Sequence, residues 1–273
     1  MAQASGIVNL FTRLHRELRR EAAFVARDAS PAAVHRARVA ARRLRSLAAA
    51  IPGLRDPRAQ NRCIRDLRAL AHELAAVREA DVLREELLES LSEFTSETPS
   101  ARRHVAVLLE QERAAARRLL HRHTRSLVWS ERLERIDQSV RDLKRQLEHT
   151  SDGKGLARSM MLQSAQALAQ ACRHQDGSAS VVHSARVHAK AYRYVIAMLA
   201  KQLALDGERF SRPARAIQQA AGRHLDARNV RKWVARHRDA LAEPLGFELH
   251  ALLAGKEKRA LKETRRELRK VAQ

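Results

Sequence analysis

Two stretches of the sequence space histidine, arginine and lysine so that they could act together on an anion. VHRARVAARRLRS (34–46) carries His35, Arg38, Arg42 and Arg45 at steps of three and four. VHSARVHAKAYRY (182–194) carries His183, Arg186, Lys190 and Arg193 at the same steps. At about 100° per residue, each set forms a stripe roughly 80° wide along one helix, with a cation about every 5 Å. Arginine forks match phosphate oxygens bidentately, so such a wall suits a phosphate-rich anion.

The two stretches are copies. Offset by 148 residues, each stripe residue of the first meets its counterpart in the second. The same offset pairs Val34 with Val182, Ala37 with Ala185, Ala41 with Ala189, Leu44 with Tyr192 and Ile51 with Leu199. Agreement at both basic and apolar positions implies a duplicated unit. Val34, Ala37, Ala41, Leu44, Ala48 and Ile51 form an apolar seam one residue out of phase with the stripe. Arg36 and Arg43 point to the opposite side. Their counterparts are Ser184 and Ala191, so they read as solvent-face charges.

A charge run on a helix is ordinarily a solvated face. Repetition of the stripe, position by position, favours a binding wall instead. Like charges at helical spacing also repel by about 0.2–0.5 kcal/mol per pair, a cost that a bound anion removes. Weaker basic faces hold further candidates: Arg62 and Arg65, with Arg58 and His72, on a third helix, and Arg212, Arg215 and Arg223 on a helix after LDGE (205–208).

The elements that must position these residues are helical. Alanine, leucine and arginine dominate, and 9 Gly and 6 Pro in 273 residues leave long uninterrupted runs. Breaks are expected at Ser30-Pro31, Pro52-Gly53, Asp56-Pro57, TSETPS (95–100), Trp129-Ser130, HTSDGKG (149–155), QDGSAS (175–180), LDGE and EPLG (243–246). Ser30 and Ser100 are expected as helix caps. The reading is all-α, with about eight or nine helices in two antiparallel bundles, residues 1–149 and 156–273, joined by a linker at 150–155.

Lys plus Arg is 53 against 31 Asp plus Glu, a formal net charge of +22. A polyanionic partner follows: nucleic acid, an anionic membrane or a phosphate polymer. Two cysteines, Cys63 and Cys172, lie far apart and suit a reducing cytoplasm. No apolar run is long enough for a transmembrane helix. Aromatics are only 3% of residues and do not interleave with the stripes, which serves nucleic-acid stacking poorly.

No catalytic residue, metal site or cofactor is expected. HExxH, GxxxxGK[ST], GxSxG and GxGxxG are all absent. His121 and His123 fall on different sides of a helix, and His183 and His188 are poorly spaced for one metal. Asp81, in VREADV (77–82), reads as a structural partner for an arginine. His35 and His183 read as residues that shape the site, with protonation disfavoured by the nearby arginines.

VHxxRVxxRRLR at 34–45, its copy at 182–194 and VREADV resemble the signature helices of the CHAD family, the histidine α-helical domain. The resemblance covers most of the chain. It implies two four-helix bundles related by a pseudo-twofold axis, with a basic cavity between them lined by the eight stripe residues. It also implies a non-catalytic module that binds inorganic polyphosphate and, in bacteria, associates with polyphosphate granules. No ExExK strand is present, so the polyphosphatase activity of relatives with a triphosphate-tunnel domain is not expected. A nucleic-acid binder and a structural adaptor at the granule surface are the alternative readings. The amphipathic N-terminal helix and the basic C-terminal helix support the adaptor.

Overall fold

The computed structural model describes residues 5–93, 99–173, 178–241 and 245–272. They form ten α-helices and no strand: α1 (Ser5–Arg27), α2 (Pro31–Ala49), α3 (Pro57–Glu73), α4 (Ala75–Ser92), α5 (Pro99–Thr124), α6 (Leu127–Glu148), α7 (Gly153–Arg173), α8 (Ala179–Leu199), α9 (Gly207–Arg236) and α10 (Leu245–Ala272).

Local chemistry accounts for most boundaries. Pro31 and Pro57 occupy first turns, where a missing N–H costs nothing. Asp56 accepts from the Arg58 amide, and Asp206 accepts from the amides of Glu208 and Arg209. Gly53 turns the chain at φ 59°, a conformation that glycine adopts without strain.

Three expectations are revised. The Ser30 side chain makes no cap hydrogen bond. Pro99 opens α5, so Ser100 sits within its first turn; residues 94–98 lie outside the described residues, as do 174–177 and 242–244 of two other expected breaks. The break expected at Trp129-Ser130 falls earlier, at Ser126, whose hydroxyl accepts from the Trp129 amide. Trp129 itself is buried. α3 and α4 also divide at Leu74, where the sequence carries neither glycine nor proline.

α2 packs on α1 and α3, α3 packs on α6, and α6 returns to α1. Phe11, Leu44, Leu67 and Ile136 meet inside this ring. α8 packs on α7 and α9, α9 packs on α10, and α10 returns to α7. Leu168, Ala189, Ile217 and Leu268 meet there. The chain passes from one ring to the other between Glu148 and Gly153, and α7 already begins within the stretch 150–155. The apolar packing continues across it, because Met160, Val195 and Leu199 join the first cluster.

The α4–α5 hairpin belongs to neither ring. Its Leu87, Leu91, Val105 and Leu109 pack with Val230 and Trp233 of α9 and Leu249 of α10. Asp81 at its root accepts from Arg113 Nε at 2.9 Å, the structural pairing expected for it.

Arg36 and Arg43 have a role that the sequence reading missed. Arg36 Nε donates to Glu21 Oε2 at 2.7 Å, and Arg43 Nη1 donates to Glu17 Oε1 at 3.2 Å. Both therefore fasten α2 to α1. Glu21 is buried, which pushes its carboxyl up. Hydrogen bonds from Arg36 and Arg20 more than offset this and hold it below the usual carboxylate range. A carboxylate depressed on folding stabilises above its unfolded pKa and loses that contribution as pH falls through the folded value. Glu21→Gln is expected to cost roughly 1–2 kcal/mol at neutral pH, because half-exposed arginines make the pair only moderately strong. Urea unfolding should show the gap to the parent protein closing below about pH 4. A gap that does not change with pH would assign the loss to packing.

Candidate anion-binding site

α2 and α8 pack on one another, and α3 and α7 complete the walls of a cavity of about 700 Å³. Both stripes reach it. Arg38, Arg42 and Arg45 line it from α2, and His183, Arg186 and Lys190 line it from α8. The two remaining stripe residues do not. His35 is exposed on the first turns of α2, within electrostatic reach of Arg78 on α4. Arg193 donates to Gln218 of α9. It lies ten residues from His183, about 80° round the helix, at the stripe's edge.

The weaker candidates lie outside the cavity lining. Arg62 is 3.7 Å from Asp142, Arg65 is 3.6 Å from Asp66, Arg215 is 2.7 Å from Glu208 and Arg223 is 2.6 Å from Glu263. Arg212 is exposed on α9. α3 instead contributes Arg68 and His72, and α8 adds His188 and Tyr194. Arg68 is three residues after Arg65 and four before His72, so the same helical spacing could have found it. His72, two turns after Arg65, was the one member of the α3 face that pointed to the cavity side.

Helix packing sets these groups under strain of like charge. Arg38 is buried, and its Nη1 donates to the Ala71 carbonyl at 2.8 Å, in the last turn of α3. A cation there satisfies a carbonyl left free at a helix end and opposes the helix dipole. Burial, then Arg42 and Arg78, lowers Arg38 to about 10. Burial also lowers Arg42 and Arg45 from the ordinary arginine value. Lys190 is held down to about 7 by burial and by Arg186, Arg42 and Arg38, with Asp226 of α9 opposing. His183 and His35 are lowered first by the partial desolvation of their rings against the protein, although both reach solvent, and second by neighbouring cations.

Asp226 is the counter-charge on the α9 side. It stands 3.6 Å from Arg186 Nη2, yet burial raises its carboxyl overall. Glu79 of α4 acts on Arg38 and Arg42, and these two carboxylates cannot neutralise the cations gathered here. The arrangement is suited to holding an anion with several negative charges along its length. Among the described residues, no three His, Cys, Asp or Glu side chains group as metal ligands. Among the same residues, no helix is long and apolar enough to cross a membrane.

Comparison with known proteins agrees with this architecture. The crystal structure of the CHAD domain from the plant Ricinus communis is similar, with a TM-score of 0.73 at 19% identity, covering 98% of this chain and 92% of that one. PptA from Streptomyces chartreusis is similar with a TM-score of 0.73 at 17% identity, covering 98% of this chain and 100% of that one. No curated protein matches the chain. The CHAD domain family model matches residues 9–235, which run from α1 into α9 and include both stripe-bearing helices. By that match the chain belongs to the CHAD domain family.

Proposed function

We propose that the protein binds inorganic polyphosphate between α2 and α8, as a non-catalytic module that associates with polyphosphate granules. The observation that carries this reading is the convergence of Arg38, Arg42, Arg45, Arg68, Arg186 and Lys190 on one cavity. Each internal phosphoryl group bears about one negative charge and presents no base edge to be read. Planar guanidinium forks and a regular helical rise are therefore sufficient recognition. We also propose that the two rings arose by duplication about a pseudo-twofold axis. Val34 and Val182 are both fully buried, as are Ala41 and Ala189, which supports this origin.

The nucleic-acid reading is less well supported. The cations that are lowered by burial line a cavity of about 700 Å³, whereas a duplex is about 20 Å across and needs an open basic face. The granule-adaptor role is compatible with polymer binding.

Calorimetric titration with polyphosphate, in competition with duplex DNA at physiological salt, tests the proposal. Tight polymer binding that DNA fails to displace is expected, and a DNA preference would overturn it. The affinity should also depend on pH. Lys190 sits at about 7 in the free protein, and bound phosphates raise it. Binding therefore takes up protons, so affinity is fully developed below about pH 7 and falls as pH rises towards the lysine's bound value. The slope should not exceed about one decade per pH unit for this one group.

A further inference from the structure

Lys190 differs in kind from the arginines around it. Arg38 and Arg42 act on it from α2, Arg186 from α8 and Asp226 from α9. Arg45, Arg68, His72, His183 and His188 line the same cavity, while α7 contributes the uncharged Gln163 and Ser164. From α4, Arg78 and Glu79 act on the neighbouring Arg42. Burial lowers this amine most, and the cations around it, which outnumber the carboxylates, lower it further. The guanidiniums remain charged, because their pKa starts far higher. The cavity therefore places a nucleophilic nitrogen among fixed groups that grip phosphoryl oxygens.

That pairing suits one class of small electrophile, the acyl phosphate, in which an activated carbonyl is joined to a phosphate. We propose that Lys190 is a modification site, acylated by acyl phosphates that dock through their phosphate on Arg42 and Arg186. The proposal rests on the anion-binding reading of the cavity, but not on the identity of the polymer. The neutral Nζ attacks the carbonyl carbon, a C–N bond forms and the C–O bond to phosphate breaks. Phosphate leaves as hydrogenphosphate, taking the proton that the amine gives up. The arginines stabilise the charge that develops on the leaving group. The volume of about 700 Å³ is ample for such a donor. The product is a neutral amide, so acylation removes a cation from the α8 wall and weakens polyanion binding.

The test is incubation of the full chain with acetyl phosphate, followed by peptide mapping of acetyl-lysine over time. Lys190 is expected to label at least about tenfold faster than the exposed Lys154, Lys201 and Lys232. Its rate should level off above about pH 7, while theirs continue to climb. Neutral N-acetoxysuccinimide should show a smaller preference for Lys190, because it carries no phosphate to dock. Lys190→Arg should remove the fast phase of total acetyl incorporation. Labelling of Lys190 no faster than Lys154 overturns the proposal. Fast labelling that saturating tripolyphosphate leaves untouched supports the acylation site while overturning the polymer reading.

Discussion

Reversing charge at Arg42 and Lys190 together is expected to weaken polyphosphate binding by at least about a hundredfold. In the proposed binding mode each side chain would supply a charge-assisted contact to phosphate of about 1.5–3 kcal/mol, and about 1.4 kcal/mol is tenfold in affinity. Two lost contacts already give roughly 10²–10⁴, before any repulsion from the new carboxylates. The substitutions lie on opposite walls, Arg42 on α2 and Lys190 on α8. If one polymer spans both walls, the single variants should couple, and the double-mutant cycle should depart from additivity. The log–log dependence of affinity on salt should also become shallower, since fewer counterions are released. Folding should survive, because a carboxylate placed among Arg38, Arg45 and Arg186 relieves like-charge repulsion. Arg193→Glu is the internal comparison: this side chain meets Gln218 of α9, so its effect should stay within about fivefold. Unchanged affinity in the double variant would move the site out of the cavity.

Trp233→Ala is expected to destabilise the protein by about 3–5 kcal/mol, among the largest losses available from one side chain. Trp233 is fully buried where α4, α5, α9 and α10 meet. Its Nε1 donates to Glu112 of α5 at 3.0 Å, and its ring stacks on His237 at 4.2 Å. Trp233→Phe keeps most of the apolar volume and gives up the hydrogen bond, so it should cost only about 1–2 kcal/mol. Chemical denaturation gives both values. Polyphosphate affinity should be unaltered in either variant while it remains folded, because this cluster contributes nothing to the cavity lining. A loss below about 1 kcal/mol for the alanine variant would mean that α9 does not hold the hairpin.

The helical character, the apolar seams and the two basic walls are readable from spacing, but ten α-helices stand among the described residues where about eight or nine were expected, because the division at Leu74 carries no glycine or proline. A residue's phase on a helix is fixed locally, so Arg38, Arg42, Arg186 and Lys190 could be assigned to walls without knowing their neighbours. What lies opposite a wall is not local. Arg45 and Arg193 hold equivalent positions in the repeat, yet one lines the cavity and the other meets Gln218. Arg62 and Arg65 had the right composition for a site, but Asp142 of α6 and Asp66 lie beside them. Arg36 and Arg43 read as solvent charges in the sequence because Glu17 and Glu21 become their neighbours only when α1 packs against α2.

The hairpin was the least legible element. Its sequence is as helical and amphipathic as its surroundings, and nothing within it tells that its apolar face belongs with α9 and α10. That pairing also sets the order in which the molecule can be completed. The Trp233–Glu112 contact spans 121 residues, and Lys256 reaches back 166 residues to Ser90. A ribosome adding about 5–20 residues per second makes α4 and α5 several seconds before their partners exist. Leu87, Leu91, Val105 and Leu109 therefore wait on the nascent chain with their apolar faces uncovered. The first ring, α1 to α3 with α6, has all of its own helices once α6 is made, so it can begin to assemble in that interval. The hairpin can close only once α9 and α10 have been made, as a clasp that they fasten.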